Sequence, residues 1–184
     1  MSLQLLFLDT ETGGLDPFKH SLLQIGVIAY IDNQIKESLE ISLSQKEYVV
    51  TAEALKFNQL DLYEDIKKNG YVPEKATQML IEFVQNQFTE TPILVGHNPS
   101  IDKYMVRQLF DSQNLNMDNY ISHRMIDTMS LIWGLYIAGK LPIEACSSNG
   151  AFKYFGIEVE KKHHALDDCL ATVRLYEKLI NLLK

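Results

Sequence analysis

A short apolar segment near the amino terminus ends in two acidic residues and two glycines, and it constrains the fold more than any other feature of the sequence. Residues 5–8 are all apolar, which is typical of a strand buried on both faces of a sheet. Because strand side chains alternate, Asp9 and Glu11 project from the same face, about 7 Å apart along the chain. Two like charges beside an apolar strand favour a shared proton or a bound cation. The alternative is a strand that frays into a solvated acidic loop, and this segment alone leaves both interpretations open.

The order of the remaining predicted elements favours an α/β fold with a mixed five-stranded sheet flanked by helices. Residues 21–31 and 34–44 are predicted to form an antiparallel hairpin around a turn, so that three antiparallel strands open the fold. Two further strands, at residues 92–96 and 120–126, alternate with helices, which indicates parallel strands with helices on the faces of the sheet. The predicted helices start near residues 51 and 99 and also cover 61–68, 73–88, 128–139, 149–155 and 165–183.

Length, composition and charge limit the classes of protein to which the chain can belong. The 184 residues fit one globular domain over residues 1–184, and a hydrophobic fraction of 46% argues against disorder. The net charge of −7 is opposite in sign to that of a protein that coats a duplex, so any contact with nucleic acid should be local. The sequence has no membrane-spanning run and no recognisable signal peptide, and its two cysteines are expected to be free thiols. A cytoplasmic location is therefore expected.

A third acid lies on the apolar face of the helix predicted after residue 99. Asp102 is followed by Met105, Val106 and Leu109, the i, i+3, i+4, i+7 pattern of an amphipathic helix. The position of Asp102 therefore predicts that its carboxylate points toward the protein interior. The alternative is an ordinary first-turn acid that is stabilised by the helix dipole.

The last predicted helix separates two adjacent aspartates. At about 100° per residue, Asp168 falls between Leu175 and Leu179 within the apolar arc, whereas Asp167 falls with Arg174 on the charged arc. A buried carboxylate needs a partner, because leaving it unpaired costs free energy. Asp168 is therefore predicted to be a site residue and Asp167 a solvated surface acid.

Four carboxylates are thus directed toward the interior or a strand end, and bound cations would explain their convergence. Oxygen ligands suit Mg²⁺ or Mn²⁺ better than zinc, which prefers nitrogen and sulfur. A pair of such ions supports in-line attack on a phosphodiester. A histidine just before the last helix, at position 163 or 164, could accept a proton near neutral pH, although a surface base is the alternative. The four acids are Asp9, Glu11, Asp102 and Asp168.

Three segments resemble, in order, the three exonuclease motifs of the DnaQ-like (DEDDh) 3′→5′ exonucleases. They are FLDTETG at residues 7–13, GHNPSID at 96–102 and HHALDD at 163–168. The resemblance covers nearly the whole chain, and the chain is similar to the catalytic domain of the DNA polymerase III epsilon subunit. It implies an RNase H-like fold, two Mg²⁺ or Mn²⁺ ions, and hydrolysis of a single strand from its 3′ end, with DNA as the favoured substrate and nucleoside 5′-monophosphates as products.

The resemblance also implies a role for each matched residue. Asp9 would bridge both ions, Glu11 and Asp168 would complete one site, and Asp102 would serve the other. His163 would be the general base, because the final motif has one variable residue between this histidine and the alanine. The register of that motif selects Asp168 rather than Asp167, in agreement with the helix-face argument.

Five residues in or near the motifs are predicted to contact substrate. Three of them, Thr10, Thr12 and Gly13, belong to the first motif. Leu15 resembles the position that wedges near the terminal bases. Asn98 could contact substrate, but capping the following helix is the favoured role for this residue.

Three alternatives stay open at the level of sequence. An RNA-trimming or oligoribonuclease-type enzyme would carry the same motifs. A proofreading exonuclease bound to a polymerase subunit would also do so. A non-catalytic nucleic-acid-binding scaffold is disfavoured, because a binder gains nothing from collecting negative charge where phosphate must lie.

Overall fold

Five strands form one mixed sheet in the computed structural model, which describes residues 3–147, 149–158 and 164–184. The strands are β1 (Gln4–Thr12), β2 (Leu22–Ile31), β3 (Gln34–Ser42), β4 (Ile93–Gly96) and β5 (Met125–Asp127). β1 pairs antiparallel with β2, and β2 pairs antiparallel with β3. On its other edge β1 pairs parallel with β4, which pairs parallel with β5. The order β3-β2-β1-β4-β5 confirms the predicted meander followed by parallel strands.

Helices cover both faces of this sheet. The α-helices are α1 (Ala52–Asn58), α2 (Pro73–Gln87), α3 (Ser100–Ser112), α4 (Thr128–Ile137), α5 (Gly150–Tyr154) and α6 (Ala165–Leu183). A π-helical turn at Leu62–Lys67 and 3₁₀ turns at Met117–Asn119 and Ile143–Cys146 join them. α2 and α3 contribute to the apolar cluster on one face of β1, and α6 contributes to the cluster on the other face.

The alternation of side chains along β1 decides which helix each functional residue meets. Leu8 is buried in the cluster with α2 and α3, whereas Phe7 is buried against α6. By the same alternation, Asp9 and Glu11 continue the face that α6 covers, and Thr10 continues the face that α3 covers. The end of β1 therefore presents polar groups to both helical layers.

The amino terminus of α6 lies directly on β2. A Cβ atom on Gly26 would come within 2.4 Å of the carbonyl carbon of Ala165, so glycine allows this close approach. Gln24 Oε1 accepts the backbone N–H of Ala165 at 3.0 Å, and Cys169 Sγ donates to the Gly26 carbonyl at 3.1 Å. Because Gly26 is paired with Asp9 in the sheet, these contacts place the first turns of α6 beside the acidic end of β1.

The fifth strand is shorter than the sequence predicts. The predicted strand covered residues 120–126, whereas only Met125–Asp127 pairs with β4. Tyr120 and Ile121 instead donate their backbone N–H groups to the Met117 carbonyl, each at 3.0 Å. The 3₁₀ turn that precedes the strand therefore takes the hydrogen bonds that a longer strand would have needed.

The predicted capping of α3 by Asn98 is wrong. Pro99 occupies the N-cap position, and Asn98 has a left-handed backbone with φ of 57°. Its backbone N–H donates to Asp127 Oδ1 at 3.0 Å, which ties the start of α3 to the end of β5. The Asn98 side chain therefore does not cap α3, although asparagine is a favoured N-cap residue.

Candidate active site

Three acids from two elements distant in sequence converge at the end of β1. Carboxylate oxygens of Asp9, Glu11 and Asp168 lie within 4.8 Å of one another. Asp9 and Glu11 come from one strand face, and Asp168 comes from the first turn of α6. Such an oxygen-only donor set can hold a divalent cation.

A fourth acid approaches from the opposite helical layer. Asp102, in the first turn of α3, accepts the backbone N–H of Thr10 at 2.9 Å and the Thr10 hydroxyl at 2.6 Å, both on Oδ1. These two bonds fix the Asp102 carboxylate against β1 and leave its other oxygen for a further ligand. Thr10, which the sequence analysis proposed as a substrate contact, therefore also orients an acid.

The electrostatics of the cluster favour protons or cations. Burial raises the pKa of Asp9 well above its ordinary value, and the charges of Asp102, Asp168 and Glu11 raise it further. Burial, followed by the charges of Asp168 and Asp102, raises the pKa of Glu11 to about 8. Burial raises the pKa of Asp102 to about 6, although hydrogen bonds from Thr10 oppose the shift. A divalent cation would compensate this repulsion, so the residues present fit a metal.

An open cleft of about 790 Å³ is lined by two of these acids, Glu11 and Asp102. The side chains of Leu15, Phe57 and Ile101 supply apolar lining. Leu15 is 79% exposed. A cleft of this volume, lined by carboxylates and by apolar groups, is suited to a small polar–apolar ligand such as a nucleotide.

The predicted substrate-contact residues do not all line this cleft. Thr10, Thr12, Leu15 and Asn98 line it. Gly13 lies beside it: its backbone N–H donates to the Ser21 carbonyl at 2.7 Å, and its carbonyl accepts from Thr51. The close approach of the 49–50 segment to Gly13 leaves no room for a side chain there.

Only one of the two histidines before α6 lies within the described residues. His163, the predicted general base, lies outside the described residues. His164 is the N-cap residue of α6 and is half-buried, and its side chain makes no capping hydrogen bond. Its carbonyl accepts the backbone N–H of Asp168 at 3.1 Å, so its backbone helps to set the first turn that carries the acid.

Several residues that line the cleft lie outside the three motifs. His20 and Phe57 line the cleft but come from a loop and from a short helix outside the three motifs. Asn58 is buried and donates its side-chain amide to the Thr12 carbonyl at 2.9 Å, which holds α1 against the end of β1. Phe57 is 66% exposed, and large apolar groups at the surface often mark contacts, but this exposure is visible only in the structure.

The five-stranded mixed sheet flanked by helices, with acids at the end of its first strand, has the RNase H-like fold. A family model described as Exonuclease (RNase_T) matches residues 6–176. The chain therefore belongs to this exonuclease family, within the DnaQ-like superfamily. None of the curated proteins compared matches the chain.

Solved structures share the fold at low sequence identity. E. coli exonuclease I in complex with a dT13 oligonucleotide aligns with a TM-score of 0.80 and 18% identity, over 96% of this chain and 41% of that chain. A zinc-bound form of the E. coli exonuclease I–ssDNA complex aligns with a TM-score of 0.83 and 18% identity, over 100% and 41%. Cell-death related nuclease 4 (CRN-4) aligns with a TM-score of 0.76 and 17% identity, over 97% and 64%. The chain thus spans about two fifths of the length of E. coli exonuclease I.

No helix in the described parts of the chain combines the length and the apolar character needed to cross a membrane.

Proposed function

We propose that this chain is a 3′→5′ exonuclease that hydrolyses single-stranded DNA from its 3′ end, using two Mg²⁺ or Mn²⁺ ions, and releases nucleoside 5′-monophosphates. The observation that carries the proposal is the convergence of Asp9, Glu11 and Asp168, because Glu11 of this cluster also lines an open cleft. The family assignment supports nuclease chemistry. The single strands bound by E. coli exonuclease I support the choice of substrate.

The four acids have distinct roles in this proposal. Asp9, Glu11 and Asp168 would hold one ion, because their oxygens lie close enough to share it. Asp102 would serve the second ion together with Asp9, and Thr10 restrains the Asp102 carboxylate. Bound at these positions, the two ions would activate the attacking water and stabilise the leaving oxygen.

The remaining residues bind and orient the strand. Leu15 and Asn98 contact the terminal nucleotides from the cleft wall, together with Thr12, and Gly13 supports this wall through its backbone. The charge of −7 does not prevent binding, because a few stacked nucleotides and an apolar wedge hold a strand end locally. His163 accepts the proton of the attacking water in this proposal, on the evidence of its position in the third motif.

An RNA-trimming or oligoribonuclease-type activity is the second candidate, and it uses the same acids and the same cleft.

We place the enzyme in the cytoplasm. Association with a polymerase subunit, as in the epsilon-like interpretation, rests on the three motifs alone. A non-catalytic scaffold is disfavoured by the gathering of acids at the end of β1, because ionised carboxylates there would repel phosphate unless cations were bound.

A digestion panel tests the proposal directly. DNA and RNA oligonucleotides, single- and double-stranded and labelled at either end, are incubated with the purified chain and Mg²⁺ or Mn²⁺. We expect stepwise shortening of 5′-labelled single-stranded DNA from its 3′ end, complete loss of activity with EDTA, and recovery when either ion is restored. Faster cleavage of RNA would select the second candidate, and shortening from the 5′ end or no cleavage of any substrate would refute the assignment.

Substitution of the paired histidines tests the assignment of the general base. We expect His163→Ala to lower kcat by about 10²–10⁴-fold, the usual contribution of a general base, and His164→Ala by less than about tenfold. The His164 side chain makes no capping bond, so its removal should leave α6 in place. The measurement is steady-state cleavage of a labelled single strand, and the reverse ranking would move the base by one residue.

A further inference from the structure

A compact turn between β1 and β2 presents an aromatic ring to solvent. Phe18 is 75% exposed, an unusual position for a large apolar side chain. Its backbone is nevertheless held, because Asp16 Oδ1 accepts the Phe18 N–H at 3.0 Å. Asp16 also pairs with Lys19 at 2.8 Å, and its carbonyl accepts the N–H groups of Lys19 and His20. Because the backbone of the turn is fixed in this way, ligand binding to the ring would have to order only the Phe18 side chain.

His20 forms a wall shared by two depressions. It lines the 790 Å³ cleft that contains Glu11 and Leu15, and it also lines a second groove of about 370 Å³ that contains Phe18. Its Nδ1 accepts the Asp16 backbone N–H at 3.0 Å, which fixes the ring. The ring packs directly on the backbone of residue 14, where a Cβ atom would lie 2.5 Å from Nδ1. A strand that leaves the cleft over His20 therefore enters the groove beside Phe18.

The lining of the second groove suits a base rather than a phosphate. Phe18 supplies exposed apolar surface to the groove, whereas the apolar lining residues Leu43, Met105 and Leu109 are buried. The lining also carries the charges of Lys19 and Glu47, and that of Lys19 is already paired with Asp16. Stacking on an aromatic ring accepts any base, so this kind of surface fits sequence-independent binding of a single strand.

We propose that the groove beside Phe18 is a second nucleotide subsite, in which a base upstream of the terminal nucleotides stacks on the Phe18 ring. This inference rests on the proposed function, because it takes the 3′ end of a single strand to occupy the cleft. The strand continues from the acids at Glu11, past Leu15 and across His20, to Phe18. The subsite would lengthen the bound segment without adding positive charge to an acidic chain.

The dependence of cleavage on substrate length tests the subsite. We compare kcat/KM for a dT dinucleotide and for a dT ten-mer. Phe18→Ala should lower the ten-mer value by roughly 5- to 150-fold, the range that base–aromatic stacking contributes, and should change the dinucleotide value by less than about twofold. Phe18→Trp should restore the ten-mer value. Tyr63→Ala is the matched control, because Tyr63 is 62% exposed and lines neither depression.

Two results would overturn the subsite. An unchanged ten-mer value in Phe18→Ala shows that no base stacks on this ring. An equal loss on both substrates places Phe18 in the terminal-nucleotide site instead.

A binding measurement separates this inference from the proposed function. Fluorescence anisotropy of a labelled dT ten-mer is followed with the Asp168→Asn chain, with and without Phe18→Ala. Weaker binding in the double variant supports the subsite even if the native chain cleaves no substrate, a result that would refute the exonuclease proposal alone. Equal binding by both chains, or no binding by either, overturns the subsite.

Discussion

Asp168→Asn is expected to lower kcat on a labelled single strand by roughly 10²–10³-fold or more, whereas Asp167→Asn should change it by less than about threefold. Asparagine keeps nearly the same shape as aspartate but carries no charge. The cluster that Asp168 forms with Asp9 and Glu11 would therefore lose one of its three anionic ligands. Asp167 is adjacent in sequence but is not part of this cluster among the described residues.

The same substitution should make the protein more stable in the absence of metal. The charge of Asp168 raises the pKa values of Asp9 and Glu11, so its removal relieves repulsion in the folded state. We expect Tm in EDTA to rise by a few degrees, about 2–4 °C per kcal/mol for a chain of this size. Differential scanning fluorimetry on the Asp168→Asn and Asp167→Asn chains measures this.

A lower kcat together with a higher Tm in Asp168→Asn would show that Asp168 serves function at a cost to the stability of the fold. Equal losses of activity in Asp168→Asn and Asp167→Asn would contradict the assignment of their helix faces. A lower Tm in Asp168→Asn would instead attribute its loss of activity to misfolding.

The strand or helix face on which each acid lies was predictable, because it depends on local periodicity. The two-residue repeat of a strand puts Asp9 and Glu11 on one side, and the 3.6-residue repeat of a helix separates Asp168 from Asp167. The structure brings Asp168 to the Asp9 strand end, as these periods predict, and places Asp102 on the other helical layer with its carboxylate bonded to Thr10.

The walls of the cleft were not predictable, because they depend on contacts between segments far apart in sequence. The hydrogen bond from Asn58 to the Thr12 carbonyl, which docks α1, joins residues 46 positions apart. The importance of Gly26 appears only once Ala165 is known to lie against it, 139 residues further along the chain. His20 belongs to no motif, and its position depends on the turn organised by Asp16. Single-sequence patterns contain no information about such pairs.

Without divalent metal, the protein should lose stability as pH rises from 5 to 8. The pKa of Glu11 is raised from 4.5 to about 8 and that of Asp102 from 3.8 to about 6, so the folded chain binds more protons than the unfolded chain over this range. The contribution of these two acids to the free energy of unfolding is therefore fully present below about pH 4 and falls as pH rises toward 8. Acids whose pKa values are lowered from 3.8, such as Asp16 and Asp118, have the opposite effect, but below this range. We expect a loss of a few kcal/mol, or on the order of 10 °C in Tm.

Bound metal should reverse this trend. Divalent ions bind the deprotonated carboxylates, so their affinity and the stability they add both rise with pH. The increase in Tm caused by Mg²⁺ or Mn²⁺ should therefore be small at pH 5 and largest near pH 8. Melting curves in EDTA and in excess metal, recorded across this range, measure both effects.

Glu11→Gln is the control variant, because it removes the group that titrates near pH 8 while keeping the size of the side chain. In EDTA its Tm should vary less between pH 6.5 and 8.5 than that of the native chain, and metal should stabilise it less. A native Tm in EDTA that stays constant or rises over this range would mean that the three carboxylates do not repel one another in the folded protein. In that case the cluster at the end of β1 would have no electrostatic need for a cation, and the two-metal proposal would lose its physical basis.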